Sequence, residues 1–551
     1  PPPPPPTPPP TTPNYTSIAS SAASDVYKRQ KHTLIGCLNF TWYDAKRKRT
    51  RYKQAGRGGM GTVFADKGIK AIVARWDSVT LSSNSPADKE ALRKVAKMHS
   101  REIVALDPKQ NEMAKIGTTH LVPIMNDFDL LPTHNFKYGQ HPGGNLIGSD
   151  VYKHLFDPGF DGCWMGCTVA CAHGVRDFVP YTGPYKGKKV CVVGPEYETL
   201  AGCGSNIGSF DPFTSLVMNF YCDAYGLDTI SVGTCIAFVM ECFELGLINE
   251  SHTGGLALYF GNRPVALELL HQMATGEGFG VTVGQGIRRM KTIFAAEYGA
   301  DAAIMQDIGM EAKGLEFAEY VSKESLAQQG GFGLALTGPQ HDEAWLIFLD
   351  MVHNFMPTFK QKAEALHWFP MFRTWFGLCG LCKLPWNDIV PEDNNNTEDP
   401  AKVIKHVEWY AQYFTAVTGR TVNPDDLITM SEAVYNFQRI FNLKMGFGRR
   451  KHDDIPYRAM GPVTVDEYES RQKRYDEQLV EKYGADITGK TSEEKVDLLR
   501  RFRQDQYKKL QDAVYKRRGW TPDGIPTIET VKRLGIDFPE VIDLLKTHGI
   551  E

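Results

Sequence analysis

The chain has 551 residues, far more than one typical domain, and at 42% hydrophobic, 11% aromatic and 23% charged residues it can bury a large core. This composition excludes a disulfide-stapled miniprotein, a collagen-like repeat and wholesale disorder. With 62 Lys and Arg against 65 Asp and Glu, the net charge of -3 excludes a global field that would draw the chain to nucleic acid or an anionic membrane, so partners must be recognised locally.

Residues 1–30 read as a leader outside the fold. Ten of the 33 prolines lie in Pro1–Pro13, and the polar SIASSAASDVYKRQ that follows offers nothing for a core to anchor. From Lys31 to about residue 82 the text is strand-like and punctuated by glycine. HTLIGCLNFTWYDAKRKRTRYKQ has the basic run Lys46–Lys53 at what reads as a solvated hairpin turn, and AGRGGMGTVFADKGIKAIVARW ends in an apolar run of buried-strand type. Helical text begins at Ser85, where SPADKEALRKVAKMHSREIVAL offers a cap, a proline and apolar residues at three and four spacing. Residues 157–235 are rich in Gly and Cys, and helical patterns dominate from there to about 330. The apolar stretch Thr229–Ile248 carries Glu241 and Glu244, which suit the rim of a soluble core helix and not a membrane span. After the polar loop PEDNNNTEDP (391–400) the chain is again helical, and Thr491–Glu494 has the form of a capping box opening a helix to about Arg518.

Eleven cysteines without a secretory signal point to a reducing compartment, where clustered thiols bind metal more often than they pair. The segment DGCWMGCTVACAHG places Cys163, Cys167 and Cys171 at C-x3-C-x3-C spacing, and Gly162 and Gly166 favour a loop around a ligand over a regular helix. Three readings stay open: a zinc site completed by His173, an iron–sulfur cluster completed by a distant thiol such as Cys379 or Cys382, and plain buried cysteines. Cys37, Cys191, Cys203, Cys222, Cys235 and Cys242 are scattered and read as small buried apolar residues.

Five further segments occur in order: GRGGMGTVFADKGIKAI (56–72), GPEYET (194–199), DAYGLDTIS (223–231), KGLEFAEY (313–320) and TWFGLC (374–379). Together with the cysteines they resemble the tungsten-pterin aldehyde:ferredoxin oxidoreductase family, over roughly residues 50–460, with its R-x-G-x-G loop, its paired D-x-x-G-L-D/C pterin motifs and its cluster cysteines. The resemblance implies that Arg57, Gly58, Gly59 and Gly61 bind a pterin phosphate, where glycines admit backbone N–H groups to an anion and a guanidinium pairs with it. It assigns Asp223, Gly226, Leu227 and Asp228 to one pterin, and Gly377 and Leu378 to the other. Cys163, Cys167, Cys171 and Cys379 become ligands of a 4Fe-4S cluster, with Cys379 preferred to Cys382. Proton handling falls to Glu196 or Glu198 and to His341; an extended GPEYET would face both glutamates the same way.

The implied cofactors are a tungsten-bis-pterin (tungstopterin, with molybdenum as the alternative metal) and the cluster, which carry the redox chemistry while the protein positions them. The implied activity is oxidation of aldehydes to carboxylic acids, with electrons passed to ferredoxin or a ferredoxin-like subunit, in a cytoplasmic homo- or hetero-oligomer with no nucleic-acid or membrane partner. Two alternatives compete: a tungsten subunit of the aryl-CoA (benzoyl-CoA-type) reductases, which RRGWTPDGIPTIETVKRLGI (517–536) also resembles, and a non-catalytic cluster- or zinc-binding interaction subunit. The chain departs from the family pattern in its first x3 cysteine spacing, in Thr374 where Asp is expected, and in the short stretch between Lys31 and Arg57, which reads as an amino-terminal truncation. The expected fold is α+β: a remnant of a β-rich cofactor-binding domain (31–82) followed by two mainly α-helical domains, 83–305 with the cysteine run and first pterin motif, and 306–551 with the second pterin motif and fourth thiol.

Overall fold

A computed structural model describes residues 32–44, 48–72, 85–157, 162–163 and 167–550. The leader reading of residues 1–30 and the end of the apolar run after Ile72 lie outside the described residues. The fold is α+β and predominantly helical, with three separate two-stranded antiparallel sheets among the described residues.

Strands β1 (Leu38–Asp44) and β2 (Arg49–Ala55) pair from Leu38↔Ala55 to Asp44↔Arg49, so the basic run does bracket a hairpin. The glycine loop then leads into a short helix, α1 (Met60–Asp66), within text that reads as strand-like; the buried-strand run expected at the end of the segment lies largely outside the described residues. Phe64 and Ala65 do not alternate as strand residues, because the backbone closes helical turns such as Lys67 N–H to Val63 O, 3.1 Å. Helix α2 (Lys89–Gln110) begins at Asp88, whose carboxylate accepts from the N–H groups of Glu90 and Ala91. A second hairpin, β3 (Gly174–Phe178) and β4 (Val190–Val193), precedes α3 (Tyr197–Gly202), α4 (Pro212–Tyr225) and α5 (Thr229–Glu244). Apolar all round, α5 is buried on every side, as such a helix must be. Glu241 therefore does not reach a rim; it is buried and neutralised by Arg458.

The tight hairpin β5 (Glu311–Ala312) and β6 (Leu315–Glu316) turns at Lys313 and Gly314, both with positive φ. Helix α6 (Phe359–Cys379) opens on a Thr358–Gln361 capping box and ends where Gly380 adopts φ 64°. It packs against α8 (Pro424–Lys444), which follows α7 (Ile404–Thr418). After α9 (Val465–Glu469), α10 (Ser492–Arg518) starts at the expected Thr491–Glu494 capping box and stops at Gly519. The main hydrophobic core runs without interruption from Ile35 to Trp520 and so crosses position 305.

Burial holds three histidines neutral: His99 and His134 are lowered to about 4 and His367 to about 3, with further contributions from His406 at His99, from His141 at His134, and from Arg517 and Arg518 at His367. The unfolded chain, with ordinary histidines near pH 6.5, takes up protons that the native state refuses. Stability is therefore expected to fall as pH drops from about 6.5 through about 4, with uptake of up to about three protons on unfolding. Urea midpoints measured between pH 7 and pH 4.5 test this: a His99→Gln, His134→Gln, His367→Gln variant should show a flatter profile, and an equally steep one contradicts the assignment.

Candidate active site

The segment GPEYET leaves β4 and becomes helical at Tyr197, so its two glutamates diverge instead of facing one way. Glu196, at the N-cap, accepts from Thr118 Oγ1 (2.7 Å) and stands 3.4 Å from Lys53 Nζ. Glu198, one turn in, is buried: its Oε2 accepts from the N–H of Glu319 (2.8 Å), and its Oε1 lies 2.8 Å from His341 Nδ1. Both atoms are buried and neither has an aligned hydrogen-bond partner, so the 2.8 Å approach is a charge-range contact between two otherwise unsatisfied groups. Two residues separated by more than a hundred positions in the chain thus form one couple.

Arg373 on α6 holds the His341 loop. Its Nη1 donates to the carbonyls of His341 and Asp342 (3.1 Å each), and its Nη2 to Asn387 Oδ1 (2.7 Å). Lys383 adds an ion pair to Asp342 (2.5 Å). Neither cation belongs to a motif by itself; Arg373, immediately before Thr374, carried no sequence signal beyond that position. Behind the couple, Glu319 accepts from Thr234 Oγ1 (2.8 Å) and Asn206 Nδ2 (3.0 Å). Burial and then the adjacent Glu198 push Glu319 well above the usual carboxylate range. On the other flank Asp388 is pushed up to about 7 by burial, against the pull of Arg373 and His341.

The glycine loop and the first pterin motif meet through an ion pair. Arg57 Nε donates to Asp228 Oδ2 (2.9 Å), while Nη2 donates to Glu316 O (2.7 Å) and Ser231 Oγ (3.3 Å). The expected free guanidinium is thus already engaged, because Asp228, the N-cap of α5, needs a counter-charge once buried. Of the guanidinium nitrogens, Nη1 is buried without a partner. The chain near Ile35–Cys37 pins the motif from the other side, with Cys37 N–H to Gly226 O (2.7 Å) and Asp228 N–H to Ile35 O (3.0 Å); Gly226 supplies the φ of 70° that ends α4. Asp223 receives Asn219 Nδ2 (3.1 Å) and is pushed up to about 8 by burial, against Lys53. Lys53 lies in the field of Glu196, Asp223 and Cys171, and the sequence reading placed it in a solvated turn.

Among the thiols, Cys163 is exposed and Cys167 and Cys171 half-buried, on a loop that packs against Val169, Ile389 and Leu384. Cys171 lies in the field of Cys382 and Cys167, and Cys382 in that of Cys163 and Cys167; burial raises Cys382 to about 11. Cys379 is raised by burial alone. Of the two thiols after α6, Cys382 and not Cys379 thus lies in the field of the other three. The reason is local: Gly380 turns the backbone after α6, with Leu381 N–H to Phe376 O (2.9 Å), leaving Cys379 on the outer side of the last helical turn. A second triplet, Gly380–Leu381–Cys382, repeats Gly377–Leu378–Cys379 and was the available sequence signal. Thr374 spends its hydroxyl on Pro370 O (2.9 Å), and Gly377 and Leu378 are exposed. His173 does not join the thiols; its Nε2 meets Met113 O at 3.1 Å and its ring stacks on Phe156.

Among the described residues, no three His, Cys, Asp or Glu side chains stand close enough to share one metal ion. A single zinc would need its donors within about 2.3 Å of one point, whereas a four-iron cluster puts each thiolate on its own iron. Thiols that lie in one another's field, together with a buried guanidinium retaining an unpartnered N–H and the buried carboxyls of Asp223 and Asp228, fit a cluster beside a pterin.

A sequence profile described as aldehyde ferredoxin oxidoreductase, domains 2 and 3, matches residues 94–536. The tungsten-containing aldehyde ferredoxin oxidoreductase of Pyrococcus horikoshii is 27% identical over 509 residues, covering 88% of this chain and 70% of that protein. The WOR-like subunit of an aliphatic sulfonate oxidoreductase from Pyrococcus furiosus is 25% identical over 288 residues, 50% of this chain and 43% of that one. Among solved structures, the active-site complex BamBC of benzoyl coenzyme A reductase with 1,5-dienoyl-CoA shares the fold, with a TM-score of 0.64 at 16% identity over 95% of this chain and 74% of that chain.

Proposed function

The chain belongs to the aldehyde ferredoxin oxidoreductase family, and from that premise we propose that it oxidises aldehydes to carboxylic acids and passes the electrons to a ferredoxin. The observation that carries the reading is the Glu198–His341 couple, with Glu198 also in the field of the Arg57–Asp228 pair. Arg57, Asp223, Gly226, Leu227 and Asp228 would hold one pterin, Gly377, Leu378 and the Gly380–Leu381 turn the other, and Cys163, Cys167, Cys171 and Cys382 the cluster. Tungstopterin, when bound, supplies the two-electron acceptor, and the cluster a one-electron relay.

The protein's own part is proton transfer and placement. Glu198 Oε1 stands 2.8 Å from His341 Nδ1, and a small ring rotation that aligned the pair would favour the tautomer that leaves Nε2 free to accept a proton from the hydrated aldehyde. Arg373 holds the loop so that the ring keeps its place, and the neutral Glu319 behind Glu198 adds no second negative charge. Oxidation of an aldehyde series with a dye acceptor, on protein loaded with tungsten and iron, tests the reading; loaded protein inert toward every aldehyde but able to reduce an aryl thioester would favour the aryl-CoA reductase reading, which the carboxy-terminal segment 517–536 keeps in view.

The cluster ligand set gives its own prediction. Cys382→Ser should lose most of the cluster iron, whereas Cys379→Ser should keep it, as read by iron per chain and the reduced-cluster EPR signal. Iron loss in Cys379→Ser with a normal signal in Cys382→Ser would reverse the ligand choice.

A further inference from the structure

Helix α2 buries Val95, His99, Ile103 and Leu106 on one side. Its other side carries Lys89, Arg93, Lys97 and Arg101 at four-residue spacing, which lines them along one ridge, with Lys94 beside them. All five are exposed, and none forms an ion pair with a described residue. A chain of net charge -3 does not acquire such a ridge from its average composition. Met98 and Val104, 46% and 57% exposed, stand next to it on the same helix, so apolar area lies within a charged rim.

The inner side of the same helix reaches the thiols. Ile103 and Leu106 pack in one cluster with Val169, Cys167, Cys171 and Leu384. A second packed route passes through α7: Tyr410 lies in the field of Cys382, its ring is 5.6 Å from that of His99, and His99 stacks 6.1 Å from Trp409. Trp409 lines an open groove of about 870 Å³ between α2 and α7, together with Lys94 and Met98. The inner face of α2 thus packs on the thiol loop, and a series of neighbouring rings leads from the field of Cys382 to the surface beside the basic ridge.

We propose that the outer face of α2 and the α2–α7 groove form the docking surface for a small acidic iron–sulfur electron-carrier protein. This rests on the reading of Cys163, Cys167, Cys171 and Cys382 as cluster ligands. Redox partners meet through small, transient interfaces, and complementary charge steers them together. Charge complementarity selects an acidic occupant, and the buried face on the thiols selects one that accepts an electron, which neither a lipid surface nor a nucleic acid does. Each encounter moves one electron from the reduced cluster to the oxidised carrier, so two carriers are reduced for each electron pair taken from substrate.

The test uses the full chain loaded with cofactors and a small acidic ferredoxin as probe. The variant Lys89→Glu, Arg93→Glu, Lys97→Glu, Arg101→Glu is compared with an equal charge change elsewhere, Arg501→Glu, Lys508→Glu, Lys532→Glu, Lys546→Glu, all at exposed positions. Direct binding of the oxidised ferredoxin at low salt should weaken at least about tenfold in the ridge variant and lose most of its salt dependence, and stay within about threefold in the control. Dye-linked oxidation should be unchanged in both, and matching circular dichroism shows that both are folded; Gln in place of Glu along the ridge should give an intermediate loss. Equal ferredoxin binding by parent and ridge variant overturns the proposal, as does a parent that binds anionic vesicles or DNA through the ridge but no ferredoxin. If ridge-dependent ferredoxin binding is seen without aldehyde turnover, docking stands and the aldehyde reading fails; if dye turnover persists while binding ignores the ridge, docking alone fails.

Discussion

Replacing Glu198 by Gln is expected to lower kcat for aldehyde oxidation by about a hundredfold to ten-thousandfold, with tungsten and iron contents unchanged. The amide keeps the size of the side chain but presents no negative charge to His341 Nδ1, so neither the tautomer nor a protonated ring is held in place. His341→Gln should cost a similar factor, and the double variant little more than either single one, because the two act as a unit. Glu196→Gln should do less: its carboxylate faces Lys53 and Thr118, away from His341. Rates with a dye acceptor, normalised to bound metal, decide the matter. Full activity in Glu198→Gln alongside a large loss in Glu196→Gln would exchange their roles.

Replacing Arg458 by Met is expected to cost the largest stability of any single change considered, about 3–5 kcal/mol. Arg458 is fully buried and pairs with Glu241 of α5 and Glu467 of α9, and it also donates to Asn135 O at 3.3 Å. Lys323 Nζ still reaches Glu467 at 2.8 Å, so the carboxylate left without a cation is Glu241. Asn135 Nδ2, 2.6 Å away, is a neutral donor and cannot replace the charge. Glu241→Gln added to Arg458→Met should recover part of the loss, since the amide can be buried at lower cost. Denaturant unfolding measures both; a loss below about 1 kcal/mol for Arg458→Met would mean that water reaches this network.

Local rules were legible wherever the cause was local. The Thr491–Glu494 cap, the stop at Gly519 and the hairpin around the basic run follow from side chains that satisfy their own neighbours' backbone groups. Local reading took the text around α1 as strand-like, because a short stretch between glycines suits strand and helix alike. It put Glu241 at a rim because a carboxylate in an apolar helix reveals nothing of the arginine, 217 positions on, that permits its burial.

The candidate site divides in the same way. Motif order and residue type, readable along the chain, determined the family and pointed to the cysteine run, Asp223 and Asp228, GPEYET and His341 as the candidate site residues. Tertiary structure alone decided that Glu198 and not Glu196 approaches His341, that Arg57 is already paired with Asp228, and that Cys382 and not Cys379 lies in the field of the other thiols. The physical reason is direction. Spacing says which residues are present, but a helix starting at Tyr197 and a glycine with positive φ at 380 set where their side chains point, and only the packed fold supplies the partners that charge and burial require.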